Sequence, residues 1–363
     1  MKNGCLIVDN GLEGMRSIPI LDVFYQDGYT FSEIRTIPFN NEKIRNVLLQ
    51  MQTEYSNLFL LIEKEQAGAI RKGLLADWQE MTIQTEQGAG IFINGQCCLF
   101  LLFLNDEKNG ATFAKETCAP YLRKRSGKRI EKIVLRTVGA NYARIEQLIV
   151  QSKGLDGGKL NYLHTRQYDE DVIRIFYGDD VSKMLTDDVL RLFLDGLGDT
   201  VYAMNDTPLP NQLIELLRVR GKKISVAESF TGGGIAKKLS SVSGASAVYF
   251  EGLNTYNELS KMQRLGVKDF TLKTFGAVSD QTAYEMATGL LNTGNCDICF
   301  TTTGLAGPNT DKSNLPVGLC YVAVGTKEKI FVYRYKFDGT REEITEKAIQ
   351  YALFLAYKQL KNM

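Results

Sequence analysis

Apolar and polar positions alternate differently in three stretches of the chain, and each pattern predicts its own elements. Residues 5–8 and 58–62 are short continuous apolar runs, suited to parallel strands buried on both faces. Between them, residues 42–51 carry their apolar positions at helical spacing. Residues 91–93 and 96–104 flank Asn94-Gly95, a pair that supplies the positive φ angles of a tight hairpin turn. A helical pattern resumes over residues 111–123 and stops at the polar, basic run Lys124-Arg125-Ser126-Gly127, which predicts a boundary. The second stretch reads strand (132–137), helix (142–151), glycine-rich loop, two alternating strands (160–167 and 171–177) and helix (187–197). Asp206-Thr207-Pro208-Leu209-Pro210 predicts a linker with a helix start behind it. Beyond it come a helix, a strand at 224–227, a glycine-rich turn and another helix. Strands at 247–256, 297–303, 318–324 and 330–337 follow, then a last helix over 342–360. The expectation is an α/β protein with domains at 1–128, 129–204 and 205–363.

Composition narrows the function. A chain of 363 residues is too long for one ordinary core. Forty-three basic against 42 acidic side chains leave a formal charge of +1, which argues against holding nucleic acid through its phosphates. The same balance gives no reason to invoke an anionic membrane. The longest apolar run, residues 97–104, is too short to span a bilayer, and residues 2–9 do not read as a secretory signal. A cytoplasmic protein is expected. Seven scattered cysteines fit reduced thiols better than a disulfide framework. Cys296 and Cys299 stand in a CxxC spacing without a second pair and read as part of a buried strand, so neither a metal site nor a cofactor is expected. The run Gly154-Leu155-Asp156-Gly157 superficially matches an RNA-clamping GxxG loop, but with Asp156 inside it a surface turn is the better reading. There is one histidine, His164, in an alternating strand-like run that suits a structural role. A nucleophile elsewhere must therefore be activated by a lysine, a carboxylate or a tyrosine.

The last stretch holds four elements that suit chemistry. The strand at 224–227 delivers Glu228-Ser229-Phe230-Thr231 into Gly232-Gly233-Gly234 and a helix. Such a turn exposes a hydroxyl beside backbone N–H groups at a helix start, which favour a bound anion or a developing oxyanion. Ser229 and Thr231 could equally be plain helix caps. Next, Tyr256 and Lys261 straddle a strand-to-helix junction, so both can reach one pocket. A desolvated lysine can deprotonate a serine, and a tyrosine can relay a proton. Third, Thr302-Thr303-Gly304-Leu305-Ala306-Gly307-Pro308 leaves a strand, with Pro316-Val317-Gly318 soon after; glycines there admit close approach of a ligand. Last, Asp338-Gly339-Thr340-Arg341 places an arginine, suited to phosphate or carboxylate, at the final helix start.

Taken together and in this order, the four elements resemble the C-terminal domain of the CinA (competence/damage-inducible) family over essentially all of residues 208–363. The family pattern Ala-Glu-Ser-Cys-Thr-Gly-Gly corresponds to residues 227–233, and its Tyr-Ser-Asn-Glu-x-Lys to residues 256–261. Gly-Ile-Ala-Gly-Pro corresponds to 304–308, Pro-Val-Gly to 316–318 and Gly-Asp-Arg to 339–341. The resemblance implies deamidation of nicotinamide mononucleotide, with Ser229 as nucleophile and Lys261 and Tyr256 as its activators. It implies substrate contacts at Thr231, Gly232, Gly233, Thr303, Gly304, Ala306, Gly307 and Arg341. Two departures stand out. Phe230 replaces the cysteine after the nucleophile, and Asn257 and Glu258 are shifted between the tyrosine and the lysine.

Through residues 90–104 with Ala119-Pro120-Tyr121-Leu122, and through Leu135-Arg136-Thr137-Val138-Gly139 with Leu197-Gly198-Asp199, residues 1–204 resemble, more weakly, the molybdopterin-binding-like domain and small KH-type domain that precede the amidase domain in full-length relatives. The glycine-rich loop expected after residue 62 is replaced by Glu63-Lys64-Glu65-Gln66-Ala67, and a second loop by Leu104-Asn105-Asp106-Glu107. Lost glycines and added carboxylates disfavour a diphosphate. The first domain therefore reads as a degenerate structural or dimerisation unit, with a homodimer, a small pyridine mononucleotide substrate and no membrane or nucleic-acid partner expected. The alternative function is a non-catalytic scaffold of the competence or DNA-damage response.

Overall fold

Long apolar runs become the inner strands of the first of three sheets. The structure, a computed structural model, describes residues 2–9, 17–73, 78–81, 89–105, 107–127, 130–309 and 314–363. The predicted boundary at 128/129 lies outside the described residues, as does Asp106. The first sheet contains β1 (Asn3–Val8), β2 (Glu33–Ile37), β3 (Asn57–Ile62), β4 (Gln79–Glu80), β5 (Gly90–Asn94) and β6 (Cys97–Phe103), in the order β2-β1-β3-β6-β5-β4. Strands β1, β3 and β6 are buried at every residue and pair in parallel, as continuous apolar runs require. The second sheet has β7 (Ile130–Val138), β8 (Leu160–Gln167), β9 (Glu170–Gly178) and β10 (Val201–Ala203), in the order β10-β7-β9-β8. The third has β11 (Ile224–Glu228), β12 (Tyr249–Asn254), β13 (Ile298–Gly304), β14 (Leu319–Thr326) and β15 (Ile330–Lys336), in the order β12-β11-β13-β14-β15. The α/β class is as expected.

The chain packs as two compact units. One comprises Met1–Lys132, Asp156–Leu163 and Arg174–Thr186; the other comprises Ile133–Leu155, His164–Ile173 and Asp187–Met363. In the first unit the segments that follow β3 and β6 close on each other. Asn105 accepts from the Lys64 N–H at 2.9 Å and donates to Glu65 at 2.7 Å.

In the second unit the third sheet is covered on both faces. Val226, Phe300 and Val322 meet Leu213, Leu217 and Leu353 of the helices Leu209–Arg220 and Arg341–Lys361. Their chain neighbours Ala227, Cys299 and Ala323 point the other way, toward Met286 and Leu290 of the helix Asp280–Asn292. Each such buried aromatic or aliphatic side chain contributes roughly 1.5–3 kcal/mol.

Local differences from the pattern have physical causes. The hairpin turn is Gly95-Gln96, because Asn94 pairs with Cys97; Gly95 carries the single positive φ, 55°. The stretch 111–123 is broken into Glu107–Phe113, a π turn Ala114–Cys118 and Ala119–Ser126. Pro120 has no N–H to continue the regular ladder there, and the Ala119 N–H bonds back to Ala114. The helix predicted over 142–151 runs on as Tyr142–Asp156 and absorbs most of the supposed GxxG turn. It stops where the buried Asp156 carboxylate takes the Tyr162 hydroxyl at 3.0 Å and the Gly158 N–H.

Candidate active site

Sheet direction gathers the four motifs. Strand β11 is parallel to both β12 and β13. Strand β14 is antiparallel to β13, and β15 antiparallel to β14, so β15 runs the same way as β11. The residues after β11, β12, β13 and β15 therefore leave the same carboxyl edge. Chain order reverses on either side of β11, and open α/β sheets bind ligands in such a crevice.

Ser229 follows β11 directly, where the chain must turn sharply into the helix Gly234–Ser240. Gly232 and Gly233 make that turn at φ 63° and 95°, a region that residues with a Cβ rarely adopt. The Ser229 N–H donates to Thr302 of β13, and its side chain is buried. The junction after β12 delivers the lysine. Asn257 caps the helix Glu258–Leu265 by accepting from the Ser260 N–H at 2.8 Å. One turn in, Lys261 faces inward with 1% of its surface exposed. Its Nζ donates to Ser229 Oγ at 2.8 Å and to the Thr255 carbonyl at 2.7 Å, with the Tyr256 carbonyl at 3.4 Å. Burial disfavours the ammonium form and pushes the Lys261 pKa down to about 8, against a weaker upward pull from Glu258. A buried lysine that loses its proton near neutrality, in contact with a serine hydroxyl, has the geometry of a base–nucleophile pair.

Tyr256 takes a different place from the one expected of an activator. Its side chain is 60% exposed, and its hydroxyl accepts from Arg341 Nη2 at 3.1 Å. Arg341 Nη1 donates to the Gly307 carbonyl at 2.6 Å, so one guanidinium joins three of the motifs. Thr340 and Glu343 form a capping box that sets Arg341 as the first residue of its helix.

The glycine-rich turn is used otherwise than the sequence suggests. The Gly233, Ile235 and Ala236 N–H groups all donate to the Glu228 carboxylate, at 3.1, 3.1 and 2.8 Å. The Gly232 N–H closes a turn onto the Ser229 carbonyl. Neither glycine amide is left for a substrate. Among the described residues, the N–H groups of Phe230 and Thr231 have no acceptor. The Thr231 hydroxyl is engaged with that of Thr302 at 2.7 Å, and the Thr303 hydroxyl donates to Ala277 at 2.6 Å. Gly304 is required by packing: a Cβ there would lie 2.6 Å from the Cys320 Cβ and 2.9 Å from the Phe230 ring. Phe230 itself is buried among Ala306, Cys320, Phe337, Ile344 and Ala348, so its bulk goes into the core. His164 is held between Glu146 at 3.0 Å and Asp171 at 2.8 Å, the structural role its strand context suggests.

Three residues of the site escape a reading of the sequence. Glu228 stands inside the motif, but its bonds to residues five to eight positions on arise only once the chain turns. Thr255 holds Lys261 through its carbonyl and Thr302 holds the Ser229 N–H through its own; neither of these two contacts has a side-chain signal.

The sequence profile described as the CinA C-terminal domain matches residues 206–360. A relative from Caldicellulosiruptor saccharolyticus, whose name marks it as competence-damage inducible, is 35% identical over 250 residues, covering 68% of this chain and 61% of its own. A CinA-like protein of Kosmotoga olearia is 41% identical over 157 residues, 43% of this chain and 38% of its own. The chain thus spans about three-fifths or less of the length of these curated relatives. The crystal structure of the competence/damage inducible protein CihA from Agrobacterium tumefaciens is 35% identical and covers 44% of this chain and 99% of its own, with a TM-score of 0.41. By the matched domain and these relatives, the chain belongs to the CinA family.

Proposed function

We propose that this site hydrolyses a carboxamide, that of nicotinamide mononucleotide, to the carboxylate and ammonia. The observation that carries the reading is the buried contact of 2.8 Å between Lys261 Nζ and Ser229 Oγ. Neutral Lys261 takes the Ser229 proton as Oγ attacks the amide carbon. The unacceptored N–H groups of Phe230 and Thr231 lie next along the chain from the nucleophile, suited to receive the developing oxyanion. Lys261, now an ammonium, returns the proton to the leaving nitrogen, and ammonia departs from a Ser229 ester. Water then attacks the ester with Lys261 again as base, giving the acid and free Ser229. A guanidinium suits a phosphate, and in this reading Arg341, joined to Tyr256 at the exposed side, holds that of the nucleotide.

The direct test is ammonia release from nicotinamide mononucleotide by the purified protein. No release from this or any other pyridine nucleotide amide would leave the scaffold reading standing. Two further outcomes follow from the geometry. Because the base is the neutral form of a lysine near 8, kcat should climb up to about tenfold per pH unit on the acid side and level off above it. A rate flat from neutrality to about pH 9 would remove Lys261 as the base. Arg341→Ala should raise KM by roughly tenfold or more with a smaller change in kcat, as loss of a substrate contact requires. An unchanged KM would move the phosphate elsewhere.

A further inference from the structure

Glu228 is a carboxylate with 1% of its surface exposed, one residue before the nucleophile, and the reaction above does not use it. Oε2 accepts from the Gly233 and Ile235 N–H groups, and Oε1 from that of Ala236. The helix Gly234–Ser240 begins after Gly233, which has no side chain to cap it. Glu228 reaches across the turn and supplies that cap. The chain between its two ends is Ser229 to Gly232, so fixing both ends fixes the loop on which Oγ stands. Charge-assisted bonds to three amides are stronger than the single bond of an ordinary cap.

The main chain of the same residue holds the other half of the pair. Its carbonyl accepts from the Thr255 N–H at 2.7 Å and lies 3.4 Å from the Thr255 hydroxyl. The Thr255 carbonyl is the acceptor that holds Lys261 Nζ at 2.7 Å. We infer that Glu228 is a positioning residue: its carboxylate sets the Ser229 turn, and its carbonyl sets the strand end that aims Lys261. A further consequence is that the helix start is closed to anions of the substrate, because its amides are already taken.

The inference rests on Ser229 and Lys261 acting as nucleophile and base, and the test separates the two claims. Glu228→Gln replaces one oxygen with a donor that faces N–H groups; Glu228→Asp keeps the charge and retracts it by one methylene. Two rates are measured: amide hydrolysis, and covalent labelling of Ser229 by a fluorophosphonate, with Ser229→Ala as the zero. In folded Glu228→Gln, kcat and labelling should both fall by roughly tenfold or more while KM stays within about threefold, with Glu228→Asp between. A residue that only capped the helix would lower the melting temperature and leave kcat and labelling at parental values; that result overturns the inference. If Glu228→Gln does not fold, the same comparison on Glu228→Asp decides it. A parent that labels at Ser229 but releases no ammonia from any pyridine nucleotide defeats the amidase reading, and the labelling rates of the variants still decide the role of Glu228.

Discussion

Ser229→Ala is expected to abolish amide hydrolysis while leaving the protein folded. The side chain is buried, and its hydroxyl oxygen accepts from Lys261. Removing that oxygen leaves Nζ with the Thr255 carbonyl as a partner, so no charge is stranded. The stability cost should be about 1 kcal/mol, that of one hydrogen bond. The kinetic cost is of another order. Without Oγ there is no covalent intermediate, and turnover should fall roughly a thousandfold or more. The check is kcat beside a thermal melt. Near-parental ammonia release from a folded variant would take Ser229 out of the chemistry and leave its contact with Lys261 as packing.

The second large effect concerns Lys261. Arginine stays protonated at any usable pH, so Lys261→Arg keeps a cation and loses the base; kcat should drop by about a hundredfold to ten-thousandfold. Lys261→Met is the companion variant, since it fills the volume without a charge. It should be as inactive and, at neutral pH, about as stable as the parent. The pH dependence follows from the depressed pKa. Folded Lys261 sits at about 8 against an ordinary value of 10.5, so burying its ammonium costs stability in full below about 8. Between the two values the unfolded chain holds more protons than the folded one, and parental stability rises with pH. At neutral pH the penalty relieved, about 3 kcal/mol, is offset by about 1 kcal/mol for each of the three lost hydrogen bonds. Lys261→Met should fall behind the parent as pH rises toward about 10.5, where the parent no longer carries the penalty. A stability difference that stays constant from neutral pH to about 10.5 would mean that the folded protein does not penalise the ammonium. Near-parental activity in Lys261→Arg would reduce the residue to a fixed charge.

Much of this was legible in residue types and spacing. The continuous apolar runs at 5–8 and 58–62 became parallel strands, because burial on both faces leaves no polar positions to alternate. The C-terminal strands and the last helix were read to within two residues at their ends, because strand and helix periods differ and Pro and Gly punctuate them. One histidine in the whole chain already limited the activator to a lysine, a carboxylate or a tyrosine, and Lys261 is the group found on Ser229. Other readings needed the fold. Asn94-Gly95 marked a turn but not its register, since Asn94 could pair or turn with equal local ease; pairing with Cys97 decided it.

What the sequence determined by itself was the inventory: a serine at a strand-to-helix turn, a lysine past the next strand, glycines after a third and an arginine at the last helix start. These follow from local rules, in which neighbouring residues settle periodicity, caps and turns. Tertiary structure alone decided which groups meet and which amides remain free. The turn that looked like an anion cradle is filled by Glu228, and among the described residues it is the N–H groups of Phe230 and Thr231 that have no acceptor. The Tyr256 hydroxyl turns to Arg341, 85 residues away in the chain, while Lys261 takes Ser229, 32 residues away. Phe230, which stands where the family pattern has a cysteine, packs beneath Gly304 into the core. The physical reason is common to all of these. A buried polar group must find a partner and a buried ring must find a cavity, and both are supplied by segments distant in sequence, brought to one sheet edge by strand order and direction.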